Sequence, residues 1–244
     1  MRARIAYPLL ALLAAALAGV WFDLLPGGWR LRRMLLDPRA QQLERDARHR
    51  AERIADFALE PTPPAAVVFL GSSTIERFDL AAAFPGRPAL NRGIGNEALD
   101  LLRERWRASV PTDAAGLVLY LGSVDLRQRL RSAEDFALAL RALLRELRAR
   151  HPTADVVVLG LLPERGMTAE SARELAAFNA ALELGAREID AHFLPTDRAP
   201  LRAADGSLSE AFSSDRLHLS DEGYAVLSRW ILDSERPIAT MLRP

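Results

Sequence analysis

The sequence predicts an α/β protein: a three-layer α/β/α sandwich on a mainly parallel five-stranded sheet, preceded by an N-terminal hydrophobic helix. Three observations carry this expectation. Short apolar runs recur at 67–70, 116–121 and, after Asp155, at 156–162. Between them lie longer stretches with apolar residues at helical spacing, so strand and helix alternate along the chain. The strands also lack the in–out alternation of a sheet with one wet face, and continuous apolar strands belong to a parallel sheet covered on both sides. At 244 residues the chain can bury one substantial core.

The N-terminus is of different material. Arg2 and Arg4 precede an apolar run over 5–22, broken only by Pro8 and Gly19 and closed by Asp23 and the Pro26, Gly27, Gly28 turn. A basic flank before such a run marks an export signal, and its length is near that of a bilayer-spanning helix. Residues 1–28 are therefore expected to be a signal anchor or signal peptide. Ala16, Leu17 and Ala18 fit a cleavage site, whereas Trp21 and Phe22 suit an interface belt and favour an uncleaved anchor. Arg30, Arg32 and Arg33 follow the run, so the flanking charges do not fix its orientation. The expected location is exported or membrane-anchored, at the periplasmic face of a bacterial inner membrane.

Residues 29–64 read as a charged helical stalk, with Leu43, Ala47, Ile54 and Phe57 among Arg and Glu, stopped by Pro61, Pro63 and Pro64. The main folded domain is expected over 65–244. Its first strand, Val67, Val68, Phe69 and Leu70, breaks at Gly71 and gives way to Ser72, Ser73 and Thr74. A second short strand, Ala89, Leu90 and Asn91, runs into Arg92, Gly93, Ile94, Gly95 and Asn96. Residues 98–110 are expected to form a helix with Leu99, Leu101, Leu102 and Trp106 on its apolar side. The strand at 116–121 ends in Gly122, Ser123, Val124 and Asp125. Ser132 opens a helix over 132–151 with a capping-box pattern. The strand at 155–162, a helix at 168–189, a short strand at 191–194 and a helix at 222–241 capped by Ser220 complete the pattern.

Composition narrows the function. Hydrophobic residues make up 50% and charged residues 26%, which excludes a disordered or fibrous chain. The net charge is zero, so no field draws in nucleic acid. With no cysteine, disulfides, thiolate chemistry and cysteine-held metals are excluded. The four histidines are scattered, and neither a metal nor another cofactor is implied. No lysine-bearing phosphate loop exists either.

A serine on the turn after a buried strand lies where open α/β sheets bind ligands, which singles out Ser73. Ser72, Ser73 and Thr74 also fit a simple helix cap, so the choice rests on company. A nucleophilic serine needs a histidine to take its proton and an acid to hold that histidine. Asp215 and His218 stand three apart just before the last helix, where one turn brings the carboxylate to one ring nitrogen and leaves the other free.

Together these stretches resemble the SGNH (GDSL-type) hydrolases, which have a flavodoxin-like fold, over most of residues 65–242. Gly71, Ser72 and Ser73 match the first block, with Ser73 as nucleophile. Asn91, Arg92, Gly93, Ile94 and Gly95 match the second, whose glycine amide at Gly95 helps form the oxyanion hole with the Ser73 amide. Asp215 and His218 match the last block. The third block departs from the pattern: Val124 stands where the family has an oxyanion-binding asparagine. Losing one such donor typically slows an enzyme about a hundred- to a thousandfold. The hole then either works with the two amides alone or is refitted with Ser123 or Asn96. The resemblance implies a serine esterase, hydrolysing or transferring an acyl group through a Ser-His-Asp triad and an acyl-enzyme. Its expected partners are a small carbohydrate, cell-envelope or lipid ester and, through the N-terminal helix, a membrane. The alternative that Val124 raises is a membrane-tethered binding protein of the same fold.

Overall fold

A computed structural model describes residues 10, 13–16, 18–19 and 37–243, and the chain divides into two units, Met1–Ala51 and Glu52–Pro244. Most of the expected N-terminal helix lies outside the described residues, as do residues 29–36 of the stalk. No helix among the described residues is long and apolar enough to cross a membrane. The rest of the stalk is helix α1 (Pro38–Leu59), which ends two residues before Pro61.

The sheet comprises β1 (Val67–Gly71), β2 (Ala89–Gly93), β3 (Gly116–Tyr120), β4 (Asp155–Leu159) and β5 (His192–Leu194). All neighbours pair in parallel, in the order β2-β1-β3-β4-β5. Every residue of β1, β3 and β4 is buried, which requires cover on both faces. Helices α4 (Leu99–Ser109), α6 (Ala133–Arg150) and α7 (Ala169–Glu188) pack in a row, with α6 touching both others. Helix α3 (Leu80–Ala83) packs with α8 (Asp221–Leu232), and α9 (Pro237–Leu242) lies against β1, β3 and β4. Ser132 and Thr168 cap α6 and α7 by accepting from the amides of Asp135 and Ser171.

Two elements differ from the sequence expectation. The helix expected over 222–241 is two helices, because Pro237 has no amide to continue the first one and instead starts α9, where its N–H is not needed. A five-residue helix, α5 (Ser123–Arg127), follows β3, where the sequence reading assigned no element. Gly122 makes that turn: its φ is +95°, and a Cβ there would lie 2.4 Å from the Phe136 ring.

Strand order places the site. Successive strands are added on opposite sides of β1, so the carboxyl ends of β1 and β3 flank the crevice where the direction of winding reverses. The turns holding Ser73 and Ser123 start at those two ends.

Candidate active site

Helix α2 (Ser73–Glu76) is only four residues long and cannot stand by itself. Its carbonyls are held from outside. The Asn91 amide, in the middle of β2, lies 2.6 Å from the Ile75 oxygen and 3.0 Å from that of Phe78. The Tyr224 hydroxyl donates to the Thr74 oxygen at 2.9 Å, its ring stacked on Phe78. Burial pushes the Tyr224 phenol up, so it is a neutral donor. Gly93 lets β2 approach, since a Cβ there would lie 2.2 Å from the Glu76 amide nitrogen. The turn that carries Ser73 is thus fixed by Asn91, Gly93 and Tyr224.

Ser73 Oγ stands 3.0 Å from His218 Nε2, and His218 Nδ1 stands 2.8 Å from Asp215 Oδ2. An antiparallel bridge between Ser213 and Leu219 closes the loop that carries both partners, and the Ser214 amide donates to the His218 oxygen at 2.9 Å. Asp215 also accepts from the amides of Leu217 and His218, at 2.7 and 2.8 Å. Burial raises the Asp215 carboxyl, but the bonds from the Leu217 amide and from the His218 ring and amide outweigh it. They hold the group well below the usual carboxylate range. A carboxylate on Nδ1 makes that nitrogen the donor and turns the Nε2 lone pair to the serine.

The helix-cap alternative fails for Ser72. As the N-cap of α2 it makes no side-chain cap bond, and its Oγ lies instead 2.7 Å from Ser123 Oγ. The oxyanion side is mixed. Among the described residues the Ser73 amide has no hydrogen-bond partner. The Gly95 amide donates to Glu76 Oε2 at 2.8 Å, where the sequence pattern expects it to face an oxyanion. Val124 is 1% exposed, inside the core. Asn96 Oδ1 accepts from Gln128 Nε2 at 2.7 Å. Of the two expected substitutes, the wall of the cleft beside Ser73 includes Ser123 and not Asn96.

That cleft has a volume of about 850 Å³, counting the part open to solvent. Tyr120, Leu126, Leu161, Leu162 and Met167 supply apolar wall, and Arg127, Arg129 and Arg216 lie with Glu164 and Glu174 around them. Arg216 is paired with Glu164 at 3.3 Å, and Arg129 with Glu174 at 3.5 Å. The Tyr120 hydroxyl accepts from the Leu162 amide at 3.2 Å and fixes one wall.

Sequence reasoning missed the supports. Asp125 is fully buried and accepts from the Leu99 amide at 2.9 Å, starting α4. Buried Glu97 pairs with Arg105 at 2.5 Å, whose Nη2 donates to the Arg92 oxygen at 2.9 Å behind the Gly95 loop. An acid in an apolar context, such as Glu97 beside Ala98 and Leu99, was the available signal.

A model of the GDSL-like lipase/acylhydrolase family matches residues 69–226. A comparison with curated proteins finds no match. Among solved structures, a protein from Streptococcus pneumonia whose name refers to platelet activating factor aligns with a TM-score of 0.72 and 22% identity, over 80% of this chain and 96% of that one. A GDSL-like lipase from Bacteroides thetaiotaomicron aligns at 0.65 and 18%, over 79% and 98%. An acetyl xylan esterase from Geobacillus stearothermophilus aligns at 0.57 and 17%, over 69% and 94%. These three share the fold.

Proposed function

The chain belongs to the GDSL-like lipase/acylhydrolase family and is a carboxylic ester hydrolase, and from that premise we propose that it works through Ser73, His218 and Asp215 and a covalent acyl-enzyme. Family membership favours the enzyme over the binding protein that Val124 had raised as an alternative. The reading rests on one observation: the 3.0 Å contact between Ser73 Oγ and His218 Nε2, continued at 2.8 Å to Asp215, on the wall of an open cleft.

In the proposed reaction His218 takes the Ser73 proton as Oγ attacks the ester carbonyl. The negative oxygen sits against the Ser73 amide and the Ser123 hydroxyl. Either hydroxyl can donate in the 2.7 Å contact between Ser72 and Ser123, and with Ser72 as the donor Ser123 keeps its own proton to give. Protonated His218 then hands its proton to the departing alcohol, leaving the acyl group on Ser73. A water molecule, activated by His218 in turn, releases the acid and restores the enzyme; an acceptor alcohol in its place makes the same site an acyltransferase. Small acyl esters of carbohydrates or of the cell envelope are the proposed substrates, in line with the acetyl xylan esterase that shares the fold. An exported, membrane-anchored location suits them, and is proposed from residues 1–28 alone.

The test is hydrolysis of short p-nitrophenyl esters by the full chain and by Ser73→Ala. The variant is expected to lose at least about a thousandfold in kcat. Equal rates for both would remove the nucleophile assignment.

A further inference from the structure

The cleft beside Ser73 has three arginines and two glutamates on its wall, and two of those arginines are held by carboxylates. Arg216 pairs with Glu164 at 3.3 Å, and Arg129 lies between Glu170 at 3.4 Å and Glu174 at 3.5 Å. The relay is balanced in the same way, since Asp215 holds His218 and meets Arg77 at 3.5 Å. Arg127 is the exception: it has no carboxylate partner among the described residues.

Arg127 is placed by its own helix. Its Nε donates to the Ser123 oxygen at 3.3 Å, one turn back along α5, and both Nη nitrogens are left without a hydrogen-bond partner among the described residues. The tether keeps the guanidinium on the wall that Ser123 shares with Ser73. Burial raises the Tyr120 phenol on that wall and the Arg127 charge opposes the rise, so the cation is felt inside the cleft. A guanidinium with these N–H groups unused matches a carboxylate or a phosphate, which accepts two parallel bonds from it.

A neighbouring groove of about 600 Å³, counting the part open to solvent, shares Leu126, Arg129 and Glu174 with the cleft. Arg131 there is held by Asp100 at 2.7 Å and Asp125 at 2.8 Å. Arg173 is not: its Nε donates to the Ala169 oxygen at 3.3 Å, and it too has no carboxylate partner among the described residues. Cleft and groove thus each present one such arginine on either side of a common wall.

We propose that the substrate is an acyl ester of an anionic carbohydrate, with Arg127 binding the negative group of the sugar that carries the ester and Arg173 that of a sugar further along. This rests on the ester-hydrolase reading of Ser73. The charge belongs to the alcohol half, because a small acyl group cannot reach from the cleft into the groove. Arg127 meets a charge that is present before and during the reaction alike, so it sets specificity through KM and leaves the chemistry to the relay.

The experiment measures acetate release from an acetylated oligogalacturonate, an acetylated glycerol phosphate oligomer and a neutral acetylated xylo-oligosaccharide. The full chain, Arg127→Gln and Arg173→Gln are compared, with Ser73→Ala as the blank. One of the anionic oligomers is expected to exceed the neutral one at least about tenfold in kcat/KM, and which of them does so separates carboxylate from phosphate. Arg127→Gln is expected to raise KM for that oligomer at least about tenfold while kcat moves much less. Arg173→Gln raises it more for the oligomer than for the acetylated single sugar. Salt at about 0.5 M narrows the preference of the wild type. No preference for either anionic oligomer, or a preference that survives in Arg127→Gln, with Ser73→Ala inactive, overturns the proposal. A second readout needs no turnover: the two anionic oligomers, deacetylated, are titrated calorimetrically into Ser73→Ala and into Ser73→Ala/Arg127→Gln, and the double variant is expected to bind the preferred one at least about tenfold more weakly. Equal binding by both variants overturns the role of Arg127. If wild type and Ser73→Ala hydrolyse alike, the esterase reading fails instead, and the titration still decides whether Arg127 holds the anion.

Discussion

The two halves of the site are built to different degrees of completeness. On one side every bond of the proton relay is made: Ser73 to His218 at 3.0 Å, His218 to Asp215 at 2.8 Å, and Asp215 to two backbone amides. On the side proposed for the oxyanion, the Ser73 amide has no hydrogen-bond partner among the described residues, the Ser123 hydroxyl lies 2.7 Å from that of Ser72, the Gly95 amide is bound to Glu76, and Val124 is buried. The difference teaches where the barrier lies. Under the proposed mechanism the proton relay is fully hydrogen-bonded and the oxyanion side is not, so changes on the relay side should cost activity while changes on the oxyanion side can add it.

Breaking the relay gives the largest effect. Asp215→Asn keeps the side-chain shape but accepts one bond less well and favours the wrong imidazole tautomer. It is expected to lower kcat about a thousand- to ten-thousandfold with KM little changed, measured on p-nitrophenyl esters. A loss under tenfold would mean that Asp215 does no more than shape the loop. The oxyanion half sharpens the contrast in the opposite direction. Val124→Asn restores the side chain that the family pattern has at this place and is expected to raise kcat about tenfold or more. Unchanged turnover would mean that Ser123 already fills the role.

The smallest effect concerns a buried group that belongs to neither half. His151 is 2% exposed, and neither ring nitrogen has a hydrogen-bond partner among the described residues. Burial, with Arg150 nearby, holds it below the ordinary histidine range. The folded chain keeps the ring neutral while the unfolded chain takes up a proton first. Stability from this group is therefore full above about pH 6.5 and is lost as pH falls below it. His151→Leu is expected to reduce the drop in Tm between pH 7 and pH 5 by about 3 °C, read by thermal melts at both values. An identical drop in both proteins would remove His151 as a source of acid sensitivity and leave the catalytic contrast untouched.

What the sequence makes legible follows from how local each signal is. The apolar runs at Val67, Gly116 and Asp155 specify buried strands because no other short element is apolar on both faces, and their alternation with helices fixes a parallel sheet. Ser73, Asp215 and His218 are legible because each sits in a short pattern at the end of a strand or the start of a helix. Glu76 is not, since its contact with Gly95 depends on how β2 approaches α2 through Gly93. Arg53 pairs with Glu76 from another helix, 23 positions earlier in the chain, and nothing in its surroundings along the chain marks it. The break between α8 and α9 was carried by Pro237, a signal that the apolar spacing on either side obscured.

The proton relay is tested most directly by trapping. A fluorophosphonate probe incubated with the full chain, followed by mass spectrometry of the peptides, should place the adduct on Ser73, and His218→Ala should suppress it. An adduct on another residue, or equal labelling of wild type and His218→Ala, would contradict the relay from Asp215 through His218 to Ser73.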